Sequence, residues 1–356
     1  MGAMTISADA WFLVEPKMPL VHGAVSVRGP SAGEAVIEVL ANGVCHTDLG
    51  YADGSVRPNH SLPLILGHEA VGRVVEAGSS FRDLLGKTVI VPAVLPCGEC
   101  PLCQRGRGNA CPHQKMPGND IDGAFATHLL VPARPLVPVE QQPGLDLRWL
   151  SVVADAVSTA FQATRRADVS AGDLAIVVGA GGVGSFVVQV CAARGAKVVA
   201  LDVNEERLAL VARCGADATV SMQGREAREV RDEVQRLARA FGIESWSFKI
   251  FECAGVPASQ QQAFALIGRA STMVQVGFTP EKTSLRLSNL MAFDATLFGT
   301  WGCPPEAYPQ VLRLIYDGKI DLAPFVEVRP LSQVNAVLED MRAHRLARRV
   351  SLDPHL

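Results

Sequence analysis

Apolar residues fall in two textures along this chain. In the first third they form short β-branched runs broken by glycine and proline. EAVIEVLANG (34–43), AVGRVVEAG (70–78) and KTVIVPAV (87–94) each predict a strand bounded by turn residues. Parallel α/β texture is absent there, and a small twisted β domain is expected. From about residue 165 the pattern changes. DLAIVVGAGGVGSFVVQVCAARGAKVVALDV reads as an apolar strand, a glycine-rich turn, a helix and a second strand ending in Asp202. Within 225–242, Val230, Val234, Leu237, Ala238 and Phe241 recur at helical spacing, which predicts an amphipathic helix. FKIFECAG and STMVQVGF predict further buried strands. After about residue 295, EAYPQVLRLIYDG predicts a helix and RRVSL a closing strand. No repeat or low-complexity tract interrupts this plan. The fold class is α/β: a β-rich domain over residues 1–158 and 295–356, interrupted at 159–294 by a doubly wound parallel sheet.

Composition narrows the class. A chain of 356 residues exceeds one ordinary core, in keeping with two domains. With 48% hydrophobic and 19% charged residues it is a soluble globular composition. A net charge of −3 gives no electrostatic reason to expect nucleic acid or an anionic membrane as partner. No apolar run reaches the roughly 18 residues a spanning helix needs. The start, MGAMTISADAW, lacks a basic region followed by an apolar stretch and is not read as a signal peptide. Gly2 and Ala3 before a second Met read as an expression scar. A cytoplasmic, reducing setting is the default expectation, which makes clustered cysteines metal ligands rather than disulfides. Of the nine cysteines, Cys191, Cys214 and Cys253 stand alone in apolar or helical stretches and read as core; Cys303 is left unassigned.

Gly179, Gly181 and Gly184 form G-x-G-x-x-G directly after the strand LAIVV and open a helix. The first glycine permits the turn, the second lets a pyrophosphate approach the backbone, and the third allows helix–strand packing. The anion would sit at the helix N-terminus. Val183 lies in the same turn and joins the cofactor-binding positions. Asp202, at the end of the next strand, can accept both adenosine ribose hydroxyls and would repel a 2′-phosphate, so NAD(H) is expected rather than NADP(H).

Cys97, Cys100, Cys103 and Cys111 form C-x2-C-x2-C-x7-C in a lobe over about 95–113. Four thiolates that close a tetrahedron leave no open position, as in a structural zinc. An iron–sulfur cluster is the competing reading, although the spacing departs from ferredoxin-type runs. A catalytic zinc wants three protein ligands and an open position. Cys45 in NGVCHTDLGY, His68 in LGHEAVG and Asp155 in SVVADAVSTAF are candidates. An acid in the apolar stretch around Asp155 is expensive to bury unless it is paired or binds a cation. It could instead cap the helix that follows.

GVCHTD, GHEAVG, the four-cysteine lobe, GAGGVG and ALDVNEER, in this order, resemble the zinc-containing medium-chain alcohol dehydrogenases over nearly the whole chain. That resemblance implies a GroES-like catalytic domain around a Rossmann domain, two zinc ions per chain, and a homodimer or homotetramer. It assigns Cys45, His68 and Asp155 to the catalytic zinc and Glu69 to an acid able to approach the metal. Thr47 is assigned to the hydroxyl that bonds the substrate oxygen, and Asp48 to the partner of the ligand histidine. His46 and Arg349 fall on pyrophosphate-contacting positions, Arg207 near the adenosine ribose and Thr159 near the nicotinamide. Many relatives carry a proton-relaying His where this chain has Gly50, so solvent, Tyr51 or another group must serve instead, or the reaction sheds no proton that way.

VIVPAVLPCGEC, GRGNACPHQKMPGN, VVADAVSTAFQA, FKIFE and LMAFDATLFGTWGCPPEAYPQVL are similar to the 6-hydroxycyclohex-1-ene-1-carbonyl-CoA dehydrogenases and to a related 3,3-dimethylacryloyl-CoA reductase. This resemblance implies a CoA-thioester substrate, and NAD(H)-dependent reduction of the enoyl-CoA to isovaleryl-CoA is the expectation. Oxidation of the cyclic secondary alcohol is the alternative, and a non-catalytic zinc-folded NAD-binding protein a third. Arg57, Arg105, Arg107 and Lys115 could meet CoA phosphates, or could form an ordinary solvated surface.

Overall fold

β-branched alternation and turn residues produce sixteen strands in the computed structural model, which describes residues 5–356; the reading of Gly2 and Ala3 lies outside the described residues. In the first part of the chain these are β1 (Thr5–Leu13), β2 (Val21–Arg28), β3 (Glu34–Gly43), β4 (Leu64–Ile65), β5 (Glu69–Ala77), β6 (Thr88–Val91), β7 (His128–Pro132) and β8 (Val137–Pro138). Next come β9 (Leu174–Val178), β10 (Lys197–Asp202), β11 (Ala218–Ser221), β12 (Phe248–Glu252), β13 (Thr272–Gln275) and β14 (Thr296–Gly299). The last two are β15 (Val326–Pro330) and β16 (Arg349–Asp353). The chain divides into two units: residues up to Ser158 with Gly302–Leu312 and Val326–Leu356, and Thr159–Trp301 with Arg313–Phe325.

In the first unit, β3 is the spine. It pairs antiparallel with β5, β7 and β16 in a seven-stranded sheet that runs β15-β16-β3-β5-β6-β8, with β7 also on β3. Ile37, Val39, Val74, Val89, Val91 and Leu129 fill one of its cores, each such side chain contributing about 1.5–3 kcal/mol when fully buried. Two register shifts in the β3–β5 ladder end with Gly43 opposite Glu69. A side-chain carbon on Gly43 would stand 2.2 Å from Glu69 Oε2, so only glycine leaves the carboxylate its room. The β1–β2 hairpin has no counterpart in the sequence reading. In β1, Ile6, Ala8 and Ala10 alternate with exposed Thr5, Ser7 and Asp9, whereas no residue of β2 is buried.

The second unit is a six-stranded parallel sheet in the order β11-β10-β9-β12-β13-β14. Counted from β9, that order is the doubly wound one, and it reverses between β9 and β12, where such sheets open a crevice at their carboxyl ends. β9 is buried throughout, as expected for a strand covered on both faces. Ala227–Phe241 is the amphipathic helix; Val230, Val234 and Ala238 are buried while Leu237 and Phe241 pack at the margin. The boundary expected at residue 295 lies instead at Gly302, because the short apolar run Thr296–Gly299 pairs in parallel with β13 and completes this sheet. Residues 313–325, expected with the β-rich domain, also belong here.

Two outcomes follow. A Cβ on Gly184 would lie 1.8 Å from Gly179 O, so Gly184→Ala is expected to lower stability by about 1–3 kcal/mol, read as an earlier urea midpoint. Arg28 donates two 2.8 Å hydrogen bonds to Glu34 and, with Ser31, holds that carboxyl down to about 2. A depressed folded value contributes stability above about pH 4.5 that is lost as pH falls toward 2. Arg28→Met should therefore flatten the acid limb of a urea-midpoint profile across that window.

Candidate active site and metal centres

In the lobe, Gly98 and Pro101 turn the chain so that four thiols converge: Cys97–Cys103 at 3.9 Å, Cys100–Cys103 at 3.5 Å, Cys100–Cys111 at 3.7 Å and Cys97–Cys111 at 3.5 Å. These separations far exceed a disulfide bond and match the edge of about 3.8 Å of a tetrahedron with zinc–sulfur distances near 2.3 Å. Backbone N–H groups of Glu99 and Cys100 pull the Cys97 thiol down to about 6, whereas burial pushes Cys103 up to about 12. A cation is what removes the remaining protons from such a set. The donors fit zinc.

The second cluster grows from one helix start. Val44 ends the apolar run, and Cys45 precedes the helix His46–Asp53, where Asp48 Oδ2 accepts Cys45 N–H at 2.9 Å. The other oxygen of the buried Asp48 accepts Gly67 N–H and faces His68 Nδ1, both at 3.2 Å. His68 Nδ1–H is thereby occupied and Nε2 is aimed at Cys45 and Asp155. Asp155 Oδ2 lies 3.8 Å from both His68 Nε2 and Cys45 Sγ. Cys45, His68, Glu69 and Asp155 each bring a ligand atom within 4.8 Å of the others. Among the described residues, buried His68 Nε2 and Glu69 Oε2 have no hydrogen-bond partner, the pattern of a site whose missing partner is a cation. Sulfur, imidazole nitrogen and carboxylate oxygen are a zinc donor set. Burial alone would lower the His68 value, but Asp48, Asp155 and Cys45 together raise it well above the usual histidine range.

Glu69 is fully buried, and burial pushes its carboxyl up to about 7 despite Arg349. Arg349, with only 8% of its side chain exposed, donates to Glu69 and to the Val44 carbonyl. Only one terminal nitrogen of the guanidinium makes these bonds, and Arg349 Nε has no hydrogen-bond partner among the described residues. A lone acid after a ligand histidine in a buried strand was the signal available for this pair, but no local spacing names a partner 280 residues away. Thr47 is half-buried with Oγ1 3.7 Å from Cys45 Sγ, and His46 is exposed. Gly50 faces Val56, whose methyl would lie 3.2 Å from an added Cβ. Tyr51, the alternative proton carrier, is 4% exposed, packs in an apolar core and has its phenol raised to about 12 by burial, so it offers no path to solvent.

In the second unit the three glycines of the turn have different surroundings. Gly179 has φ +94° and passes tightly against Ala254; Gly184 seals the helix against Gly179. Only Gly181 faces open space, with the Arg207 guanidinium 3.7 Å from where its Cβ would be. Val183 precedes the helix Gly184–Ala193, whose N-terminus no side chain caps. An open backbone, free N–H groups and a cation together suit a pyrophosphate. Asp202 is 4% exposed and accepts Ala180 N–H at 2.7 Å and Asn204 N–H at 2.9 Å, tying the turn to the end of β10. Thr159 is half-buried near the start of the helix Ala156–Arg166. Arg57, Arg105, Arg107 and Lys115 are all exposed, and no helix among the described residues is long and apolar enough to cross a membrane.

A closed thiolate set, an open mixed-donor set and a dinucleotide-type sheet together define a zinc-binding dehydrogenase. The family profile of the alcohol dehydrogenase GroES-like domain matches residues 31–141, and that of zinc-binding dehydrogenases matches 182–317. The chain belongs to the zinc-type alcohol dehydrogenase family of medium-chain dehydrogenases/reductases and is an oxidoreductase of that class. It is 32% identical over 339 residues to an alcohol dehydrogenase of Rhizobium meliloti (strain 1021), covering 94% of this chain and 95% of that one. The alcohol dehydrogenase of Aeropyrum pernix superposes with a TM-score of 0.86 at 27% identity over 97% of this chain and all of that one. The structure of AibC gives 0.86 at 25% identity over 98% and 96%.

Zinc analysis of the purified protein is expected to find two ions per chain. Cys103→Ser and Asp155→Ala should each lose one, and only the first should lower the melting temperature strongly. Arg349→Ala leaves Glu69 buried without its partner and is expected to cost about 3–5 kcal/mol in urea unfolding.

Proposed function

We propose that this protein is an NAD(H)-dependent oxidoreductase that moves hydride between the nicotinamide and a small organic substrate beside a zinc held by Cys45, His68 and Asp155. The observation that carries this reading is the convergence of those three ligand atoms around an unpartnered imidazole nitrogen. When bound, the metal supplies Lewis acidity at a substrate oxygen. The chain's own residues do the rest. Asp48 fixes the His68 tautomer, and Thr47 presents a hydroxyl beside Cys45 to hydrogen-bond the substrate oxygen. Gly181 receives the pyrophosphate with His46 and Arg349, Arg207 lies near the adenosine ribose and Thr159 near the nicotinamide, and the Asp202 carboxylate disfavours a 2′-phosphate. The four-cysteine zinc is structural. A homodimer or homotetramer is the proposed assembly.

For the substrate we favour an α,β-unsaturated acyl-CoA thioester, with 3,3-dimethylacryloyl-CoA reduced to isovaleryl-CoA. Reduction of an enoyl thioester delivers hydride from NADH to the β-carbon and a proton, drawn from solvent or the Thr47 hydroxyl, to the α-carbon, so it consumes a proton and needs no outward relay from an alcohol. Gly50 and the enclosed Tyr51 provide none. The exposed Arg57, Arg105, Arg107 and Lys115 are compatible with phosphate contacts. Alcohol oxidation is the second reading, favoured by near-full-length similarity to an alcohol dehydrogenase; its CoA-thioester form uses 6-hydroxycyclohex-1-ene-1-carbonyl-CoA.

Absorbance of NADH separates the two. Consumption of NADH with 3,3-dimethylacryloyl-CoA, and little change with NAD and the cyclic hydroxyacyl-CoA or simple alcohols, is the expected result; NADH formation with an alcohol alone would overturn the substrate. Asp202→Asn removes the charge while keeping an acceptor. It should raise the ratio of kcat/KM for NADPH over NADH about tenfold, ~1.4 kcal/mol.

A further inference from the structure

Asp155 stands at a break in the chain. A 3-10 helix, Leu147–Ala154, ends before it and the α-helix Ala156–Arg166 starts after it, while its own backbone leaves the helical region at φ −136°, ψ −67°. Aspartate has a short arm, so the direction of its carboxylate is set largely by the peptide on which it is mounted. At a helical break that peptide is no longer oriented by the helix itself.

Two groups from other parts of the first unit hold it. The Ala154 carbonyl, one bond removed from the Asp155 nitrogen, accepts Ala93 N–H at 3.1 Å and the Tyr308 hydroxyl at 2.5 Å. Ser158 Oγ lies 3.1 Å from Tyr308 Oη, 3.1 Å from the Asp155 carbonyl and 3.5 Å from the Ala154 carbonyl, so its single proton serves one at a time. Tyr308 is 1% exposed and arrives on the Gly302–Leu312 segment, after the consecutive prolines Pro304 and Pro305. One donor already satisfies a buried carbonyl. A second donor on the other lone pair fixes the plane of the peptide, and with it the direction of the side chain that follows.

We propose that Tyr308 is a positioning residue for the metal at the second cluster: its hydroxyl locks the Ala154–Asp155 peptide so that the carboxylate faces Cys45 and His68 before a cation arrives. This rests on the reading of Cys45, His68 and Asp155 as zinc ligands. Groups that orient a metal ligand typically change affinity 10–100-fold when removed. Tyr308→Phe deletes the hydroxyl and keeps the ring, and Ser158→Ala leaves the bond from Tyr308 to Ala154 in place.

The test is chelator competition on the zinc-loaded proteins, with the four-cysteine ion as internal reference, and the absorption spectrum after cobalt replaces the more weakly held ion. The expected result for Tyr308→Phe is release of one zinc at roughly tenfold lower chelator concentration, an unchanged second zinc and altered cobalt d–d bands. Ser158→Ala should stay near the wild type. Wild-type zinc affinity and an unaltered cobalt spectrum in Tyr308→Phe would overturn the proposal, and so would parallel loss of both ions or general unfolding. Should the wild type itself hold only the four-cysteine zinc, the reading of the second cluster as a metal site fails, a result distinct from either.

Discussion

One buried carboxylate organises the first unit. Asp48 is wholly enclosed, and its oxygens meet Cys45 N–H, Gly67 N–H and His68 Nδ1. Burying a carboxylate is costly unless its lone pairs are filled, and here filling them requires that a helix start and a strand entry come to the same place. The bonds that make the burial tolerable are therefore the ones that bring Cys45 and His68 within reach of one cation. Asp155 then needs only to be turned toward them.

The same electrostatics explains how the surroundings are balanced. Cys45, Glu69 and Asp155 crowd potentially negative groups into a largely enclosed space. Arg349 compensates Glu69 permanently, because an arginine stays protonated and this one is held against the acid from the last strand. What is left over is the Cys45 sulfur and the Asp155 carboxyl, donors of the kind a divalent ion takes. The β-sheet spine carries both halves of this arrangement, since β16 brings Arg349 and β5 brings Glu69 to either side of β3.

Much of this could be read from the chain, and the limits have physical causes. Glycines and cysteines are legible because a positive φ, a close approach or a thiolate tetrahedron leaves few substitutes; the 97–111 lobe and the turn at 179–184 are of this kind. The strand at 174–178 announces itself by an unbroken apolar run, and that at 34–43 by β-branched residues bounded by turns. The boundary near 300 does not, because Thr296–Gly299 has the composition of either unit and only its ladder with β13 assigns it. Asp155 could be read as a ligand or a cap from sequence, since an acid at a helix start suits both; its distances to His68 and Cys45 are a tertiary fact. The contact between Arg349 and Glu69 is likewise tertiary, made when β16 and β5 pair on either side of β3. Tyr51 is a similar case: the sequence offers its hydroxyl, and its burial in an apolar core is a tertiary fact.

The β3–β5 register makes positions 43 and 69 two tenants of one volume. Gly43 contributes nothing of its own; it is the absence that Glu69 fills. A side chain at position 43 requires the acid at 69 to shift, shorten or be lost, so the two positions are expected to change together. The strand register thus couples the side chain at one position of the first unit to the carboxyl at the other.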